Sequence, residues 1–166
     1  MRAAAVVALA VMTGGCLNPF APRLAEEVAE HEAIADQRTV TGLFQKFRYA
    51  YVLRDTLLYG QLLDSAFTFS YRNYELGVDV VWGRQEDMRA TAGLFRAAQH
   101  IELVWHEIVD FYGDSVQCVV SRGFALEIAF SPTDVVRIGG RATFRLQRSQ
   151  PDQPWRIVSW RDESME

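Results

Sequence analysis

Cysteine is nearly absent: Cys16 and Cys118 are the only two in a chain of 166 residues. At most one bridge could form between them, which excludes a disulfide framework. The three histidines, His31, His100 and His106, are scattered, with no His-x-x-x-His pair, no clustered thiols and no acidic loop. A metal needs several such donors to converge, so no metal is expected. Glycine-rich phosphate loops, a Gly-x-Ser-x-Gly elbow and paired-glycosidase motifs are also missing, and no cofactor is expected. Gly139-Gly140 reads as a bend rather than a phosphate cradle. Basic charge is in deficit as well: 17 lysines and arginines face 21 acids, for a net charge of −4. With no basic stripe in the sequence to offset this, neither nucleic acid nor an anionic lipid surface is an expected partner.

The first residues hold a different signal. Arg2 is followed by the uncharged run Ala3 to Met12 and the small residues Thr13-Gly14-Gly15, then Cys16. The run falls short of the roughly 20 apolar residues that cross a bilayer but matches the core of a signal peptide. This stretch resembles the lipobox of bacterial lipoproteins, although Thr13 stands where the family usually has an aliphatic residue. The resemblance implies removal of residues 1–15, a diacylglycerol on Cys16 and attachment to a membrane of the bacterial envelope. Leu17, in place of an acidic residue, implies the periplasmic face of the outer membrane where the host has one. With Arg2 gone the net charge becomes −5. Cys118 is then left without a partner, and its apolar neighbours Val116, Val119 and Val120 mark it as a small buried hydrophobe rather than a reactive thiol.

About 150 residues remain after such a cut, enough for one domain with its own core. Leu17 to Pro22 carries two prolines and suits a short extended tether over 16–22. Leu24, Val28, His31 and Ala35 recur at helical spacing among four glutamates, predicting an acidic helix over 23–36. Val40, Leu43, Phe44, Phe47, Tyr51 and Val52 form a broader apolar stripe, a helix able to pack against a sheet. Asp55 can cap a second, shorter helix carrying Leu57, Leu58, Leu62 and Leu63. Phe67, Phe69 and Tyr71 alternate as a strand. Trp82-Gly83-Arg84 then punctuates the chain before a third helix over 84–98, with Glu86 and Asp87 in its first turn and Met88, Ala92, Phe95 and Ala98 on its buried face. Strands follow over 101–111, 115–130, 135–148 and 155–161, with bends near Gly123 and Gly139 and turns at Gly113-Asp114 and Gln150 to Pro154. Helices first, one strand and one helix next, then an antiparallel meander: this segregation defines an α+β domain over 37–163.

The arrangement resembles the nuclear transport factor 2-like superfamily, also called SnoaL-like or cystatin-like. The residues that carry the likeness are Phe47-Arg48-Tyr49-Ala50-Tyr51 with Asp55, then Leu62-Leu63 with Phe67-Thr68-Phe69, and last Arg141 to Leu146 followed by Trp155 to Val158. The resemblance implies N-terminal helices packed in a cone against a strongly curved antiparallel sheet, with a pocket between helices and concave face. Members include isomerases, dehydratases and cyclases, and many with no known chemistry, so the fold says where a site would be without saying what it does.

For a site of the ketosteroid isomerase kind, where an aspartate base works beside a tyrosine and a protonated aspartic acid, Tyr51, Asp55, His106 and Asp110 supply candidate groups. Tyr49 and Tyr51 are two apart on a helix and cannot share a face. Asp55 has a capping duty and Asp110 lies beside a predicted turn. Ile101, Leu103 and Trp105 take one face of their strand, and Glu102, Val104, His106 and Ile108 the other, where His106 could serve as a base. Apolar residues on both faces of 101–111 predict a second covering layer, met economically by a homodimer through the outer sheet face. The leading expectation is a lipid-anchored domain that binds a small apolar ligand or a partner protein without catalysis. The alternative is a small-molecule isomerase, dehydratase or cyclase.

Overall fold

The computed structural model describes residues 35–165, with side-chain environments through 163. Cys16, the tether and all of the 23–36 helix except its last two residues lie outside the described residues; Ala35 and Asp36 are not helical. Helix α1 spans Val40–Val52 and α2 spans Thr56–Leu62. Strands β1, Leu63–Asn73, and β2, Val78–Gly83, form a hairpin before α3, Arg84–Ala97. Four long strands complete the chain: β3, His100–Gly113; β4, Gln117–Ser131; β5, Asp134–Gln147; and β6, Arg156–Met165.

Thr39 caps α1 by accepting from the Gly42 amide at 2.9 Å. Gly42 is required for packing: a Cβ there would lie 2.0 Å from the Asp36 carbonyl oxygen, so the entering chain can rest on the helix only at glycine. α1 buries Leu43, Phe44, Phe47, Ala50 and Tyr51, the face its apolar spacing predicts. The helix is left through Arg54, held at φ 56, a left-handed conformation costly for a non-glycine residue. Its guanidinium donates to the Ala98 carbonyl at 2.6 Å, tying the end of α3 to this corner. Asp55 then caps α2, accepting from the amides of Leu57 and Leu58 at 2.8 and 2.9 Å.

The strand order is β2-β1-β6-β5-β4-β3. All neighbours are antiparallel except β1 and β6, which run parallel. The sheet is therefore mixed, because β6 returns to lie beside β1 instead of closing a pure meander. The hairpin strand β2 is also an addition to the single strand read between the second and third helices. Its alternation is weak because it is an edge strand with most residues exposed.

The concave face carries Phe69, Trp82, Val120, Phe144 and Trp160 in one cross-strand row, and the helices lie over it. The expected bend near Gly123 resides instead in its partner strand. β3 shifts register on both sides of Ile108, opposite Arg122, while β4 and β5 pair continuously through Gly123 and Arg141. At the end of β3, Gly113 sits at φ 140, where a Cβ would lie 2.3 Å from the Gln117 carbonyl oxygen. Asp114 completes that turn by accepting from Val116 and Gln117 amides, both at 2.8 Å, and these bonds hold its carboxyl below the usual carboxylate range.

The segment that leads into α1 is tied to the one that leads into β6. Gln37 and Trp155 exchange two hydrogen bonds, at 2.8 and 3.0 Å. Arg148 lies 4.1 Å from the centre of the Trp155 ring and donates to the carbonyls of Ser115 and Arg38 at 2.6 and 3.0 Å.

Candidate functional site

The polar centre of the cone is Asp87. It projects from the first turn of α3 into the core, only 4% exposed, and accepts from the Tyr59 hydroxyl at 2.7 Å and the Trp82 indole at 3.4 Å. Thr91, one turn on, is buried beside it, and the Tyr51 hydroxyl interacts with the side chains of Thr91 and Tyr59. Burial pushes the Asp87 carboxyl upward, against the pull of its bonds from Tyr59 and Trp82. Burial raises the Tyr51 phenol too, helped by the nearby charge of Asp87, and raises Tyr59 well above its ordinary value. Burial thus shifts all three groups in the direction of their neutral forms, while both Asp87 oxygens accept hydrogen bonds.

The buried face of α3 consequently differs from the expected one. Asp87, Thr91, Phe95 and Ala98 point inward, whereas Met88 and Ala92 are only half-buried. Asp87 and Glu86 look alike in sequence as first-turn acids; the helical spacing of Asp87 with Thr91 and Phe95 is the signal that separates them.

Aromatic rings fill the space around this network. Phe47 is central, with ring centroids of Tyr51, Tyr59, Trp105, Trp160 and Phe144 at 5.0, 5.5, 5.4, 5.5 and 6.1 Å. The indole N–H groups of Trp105 and Trp160 are shielded and have no hydrogen-bond acceptor among the described residues.

The four sequence candidates do not converge. Tyr51 alone lies in the cone. Asp55 is occupied as the α2 cap. Asp110 is exposed on the free edge strand β3. The face bearing His106 is the one turned away from the core, since Ile101 and Leu103 take the buried side. Its ring rests over Gly123, 3.2 Å from where a Cβ would stand, and lines an outer groove of about 710 Å³ with Val109, Gly139 and Arg141. A neighbouring hollow of about 450 Å³ shares Ala125 and Gly139 and is bounded by Glu102, Glu127 and Arg137. Among the described residues no cluster of three or more potential metal-ligating side chains occurs. Cys118 is buried, and burial pushes its thiol up to about 11.

A third concavity, about 380 Å³, opens between α1 and β3, lined by Phe44, Arg48, Trp105 and Arg122 among others. The half-buried Arg122 guanidinium lies 4.7 Å from the Phe44 ring centre and 5.4 Å from that of Trp105, and donates to the His106 carbonyl.

Neither a protein-family model nor a curated protein matches the chain. Solved structures do. A conserved protein from Planctomyces limnophilus superposes with a TM-score of 0.67 at 14% identity, covering 80% of this chain and 98% of that one. A candidate scytalone dehydratase from Novosphingobium aromaticivorans also gives 0.67, at 10% identity, with 81% and 87% covered. A nuclear transport factor 2-like protein from Rhodospirillum rubrum, of unknown function in nutrient uptake, gives 0.58 at 17% identity, with 74% and 95% covered. Among the described residues, three helices lie on a curved, unclosed, six-stranded sheet, and the match to such neighbours over most of the chain makes it an α+β roll of the nuclear transport factor 2-like fold.

Proposed function

We propose that the chain is a lipid-anchored envelope protein whose domain binds a small apolar ligand or a partner protein without transforming it. One observation carries this reading: the centre of the cone, where a catalytic cavity would lie, is filled by rings packed around Phe47, and the groove between α1 and β3 opens at its edge, beside Phe44 and Trp105. Exposed apolar side chains on the second half of β3, Ile108, Val109, Phe111 and Tyr112, supply a surface for a partner protein or a second copy. The anchor itself rests on the resemblance of the stretch ending at Cys16 to a lipobox.

The enzyme alternative has one observation in its favour, the buried carboxyl of Asp87 held toward its neutral form and bonded to a phenol. Such a pair can donate hydrogen bonds to a developing oxyanion, provided that rings of the core move aside. A dehydratase or isomerase would then use Tyr51, Tyr59 and Asp87 rather than Asp55, His106 or Asp110. Two measurements separate the readings. Native mass spectrometry of the full chain extracted from its membrane should release a bound molecule or partner unchanged. Turnover of enolisable ketones or β-hydroxy carbonyl compounds that is lost in Asp87→Asn would overturn the binding reading in favour of the enzyme.

A further inference from the structure

We infer that the groove between α1 and β3 is a binding site for a small organic anion, a carboxylate carried on an apolar body. The inference rests on the binding reading above and names its ligand class and place.

The groove unites two arginines that arrive from different elements. Arg48 on α1 donates to the Leu103 carbonyl at 2.9 Å and is ion-paired with Glu102 at 3.8 Å. Arg122 on β4 reaches over the core, spending its Nε and one Nη on the single carbonyl of His106. No carboxylate among the described residues forms an ion pair with Arg122, and none lines the groove. With Arg48 paired to Glu102, Arg122 is the cation of the groove that lacks a counter-charge among the described residues. A guanidinium has five N–H donors in a planar fork, so Arg122 keeps donors unspent, and its ring contacts hold the fork in place. Burial lowers its proton affinity, the mark of a cation lacking a counter-charge.

The rest of the lining selects what the anion is attached to. Val104 and the half-buried Trp105 offer an apolar wall beside the buried Phe44 ring, and Gln45 adds an amide. A volume of about 380 Å³ is that of a site for a small molecule rather than a chain segment. A carboxylate matches the guanidinium fork through two parallel hydrogen bonds, and an attached aryl or alkyl group lies against the wall. A hydrated inorganic ion would leave that wall unused.

The test is a titration of the full chain with 3-phenylpropanoate, 3-phenylpropanol and inorganic phosphate, followed by the tryptophan indole N–H resonances. The acid should bind and shift the Trp105 signal, with the alcohol and phosphate each roughly tenfold weaker or more, the size of a lost charge-assisted pair. Arg122→Gln should remove that preference for acid over alcohol, while Arg161→Gln on the opposite face should keep it. Equal binding of acid and alcohol by the unaltered chain would sink the inference, as would no binding of the acid at millimolar concentration, and neither result depends on how a variant folds. The same spectra report on the ligand. Conversion of bound phenylpropanoate would refute the non-catalytic reading and leave the site standing, whereas absence of binding refutes the site alone.

Discussion

The Tyr59 hydroxyl and the Asp87 carboxylate meet at 2.7 Å inside the core, each shielded from water. An acid so placed is a liability when charged and an anchor when neutral. Because burial raises its pKa in the fold, Asp87 favours the folded state most at pH below its unfolded value, near 3.8, and that contribution is lost as pH rises through the folded value. Asp87→Asn should abolish this dependence. Comparing denaturant unfolding of the two proteins from pH 3.5 to pH 8, the asparagine variant should gain on the parent as pH increases. A constant difference between them would contradict the assignment.

Removing the other partner tests the bond itself. Tyr59→Phe keeps the ring contacts with Phe47 and Phe95 but leaves Asp87 with only the long Trp82 contact. A loss of about 1–3 kcal/mol is expected by urea denaturation.

Phe47 is the keystone of the ring cluster, touching side chains of α1, α2, β3, β5 and β6. Phe47→Ala should cost about 3–5 kcal/mol and loosen the near-ultraviolet circular dichroism of the tryptophans, whereas Phe47→Leu should cost about half as much.

Cys118 should be chemically silent in the folded protein. Its thiol is buried and pushed up to about 11, so almost none is thiolate at neutral pH. In a Cys16→Ser chain, iodoacetamide at pH 7.5 should label Cys118 only as fast as the protein opens. In the unaltered chain, intact mass should show diacylglycerol on Cys16 and none on Cys118.

Capping and close approach give a matched pair of local tests. Asp55→Ala should cost about 0.5–2 kcal/mol through two lost amide bonds. Gly42→Ala, a change that ordinarily stabilises a helix, should here destabilise, since its methyl collides with the Asp36 carbonyl. Thermal melting of both variants checks the sign of each.

Much of this fold is legible in the sequence because period follows burial. The stripe from Val40 to Tyr51 and the alternation around Phe67 and Phe69 each face one core, so helix and strand declare themselves. The turn at Gly113-Asp114 and the cap at Asp55 are local and equally plain. What escapes is what depends on distant pairing. β2 is too exposed to alternate, and the parallel docking of β6 on β1 leaves no local trace. The faces of β3 are apolar alike, so sequence could not say which of Leu103 and His106 looks inward. Asp87 was hidden by resembling an ordinary first-turn acid, and Arg122 by resembling any charged residue of a half-exposed strand. Both take their character from neighbours far away in sequence, Tyr59 and Trp82 for the one, Phe44 and Trp105 for the other.

The central place of β6 also dictates when the domain can form. The ten residues from Arg156 to Met165 are the bridge between the β1–β2 hairpin and the β3–β4–β5 meander. Without this stretch the hairpin and the meander have no strand to join them. Formation of the whole sheet therefore waits on a strand far in sequence from β1, and its docking between β1 and β5 is the long-range step of assembly.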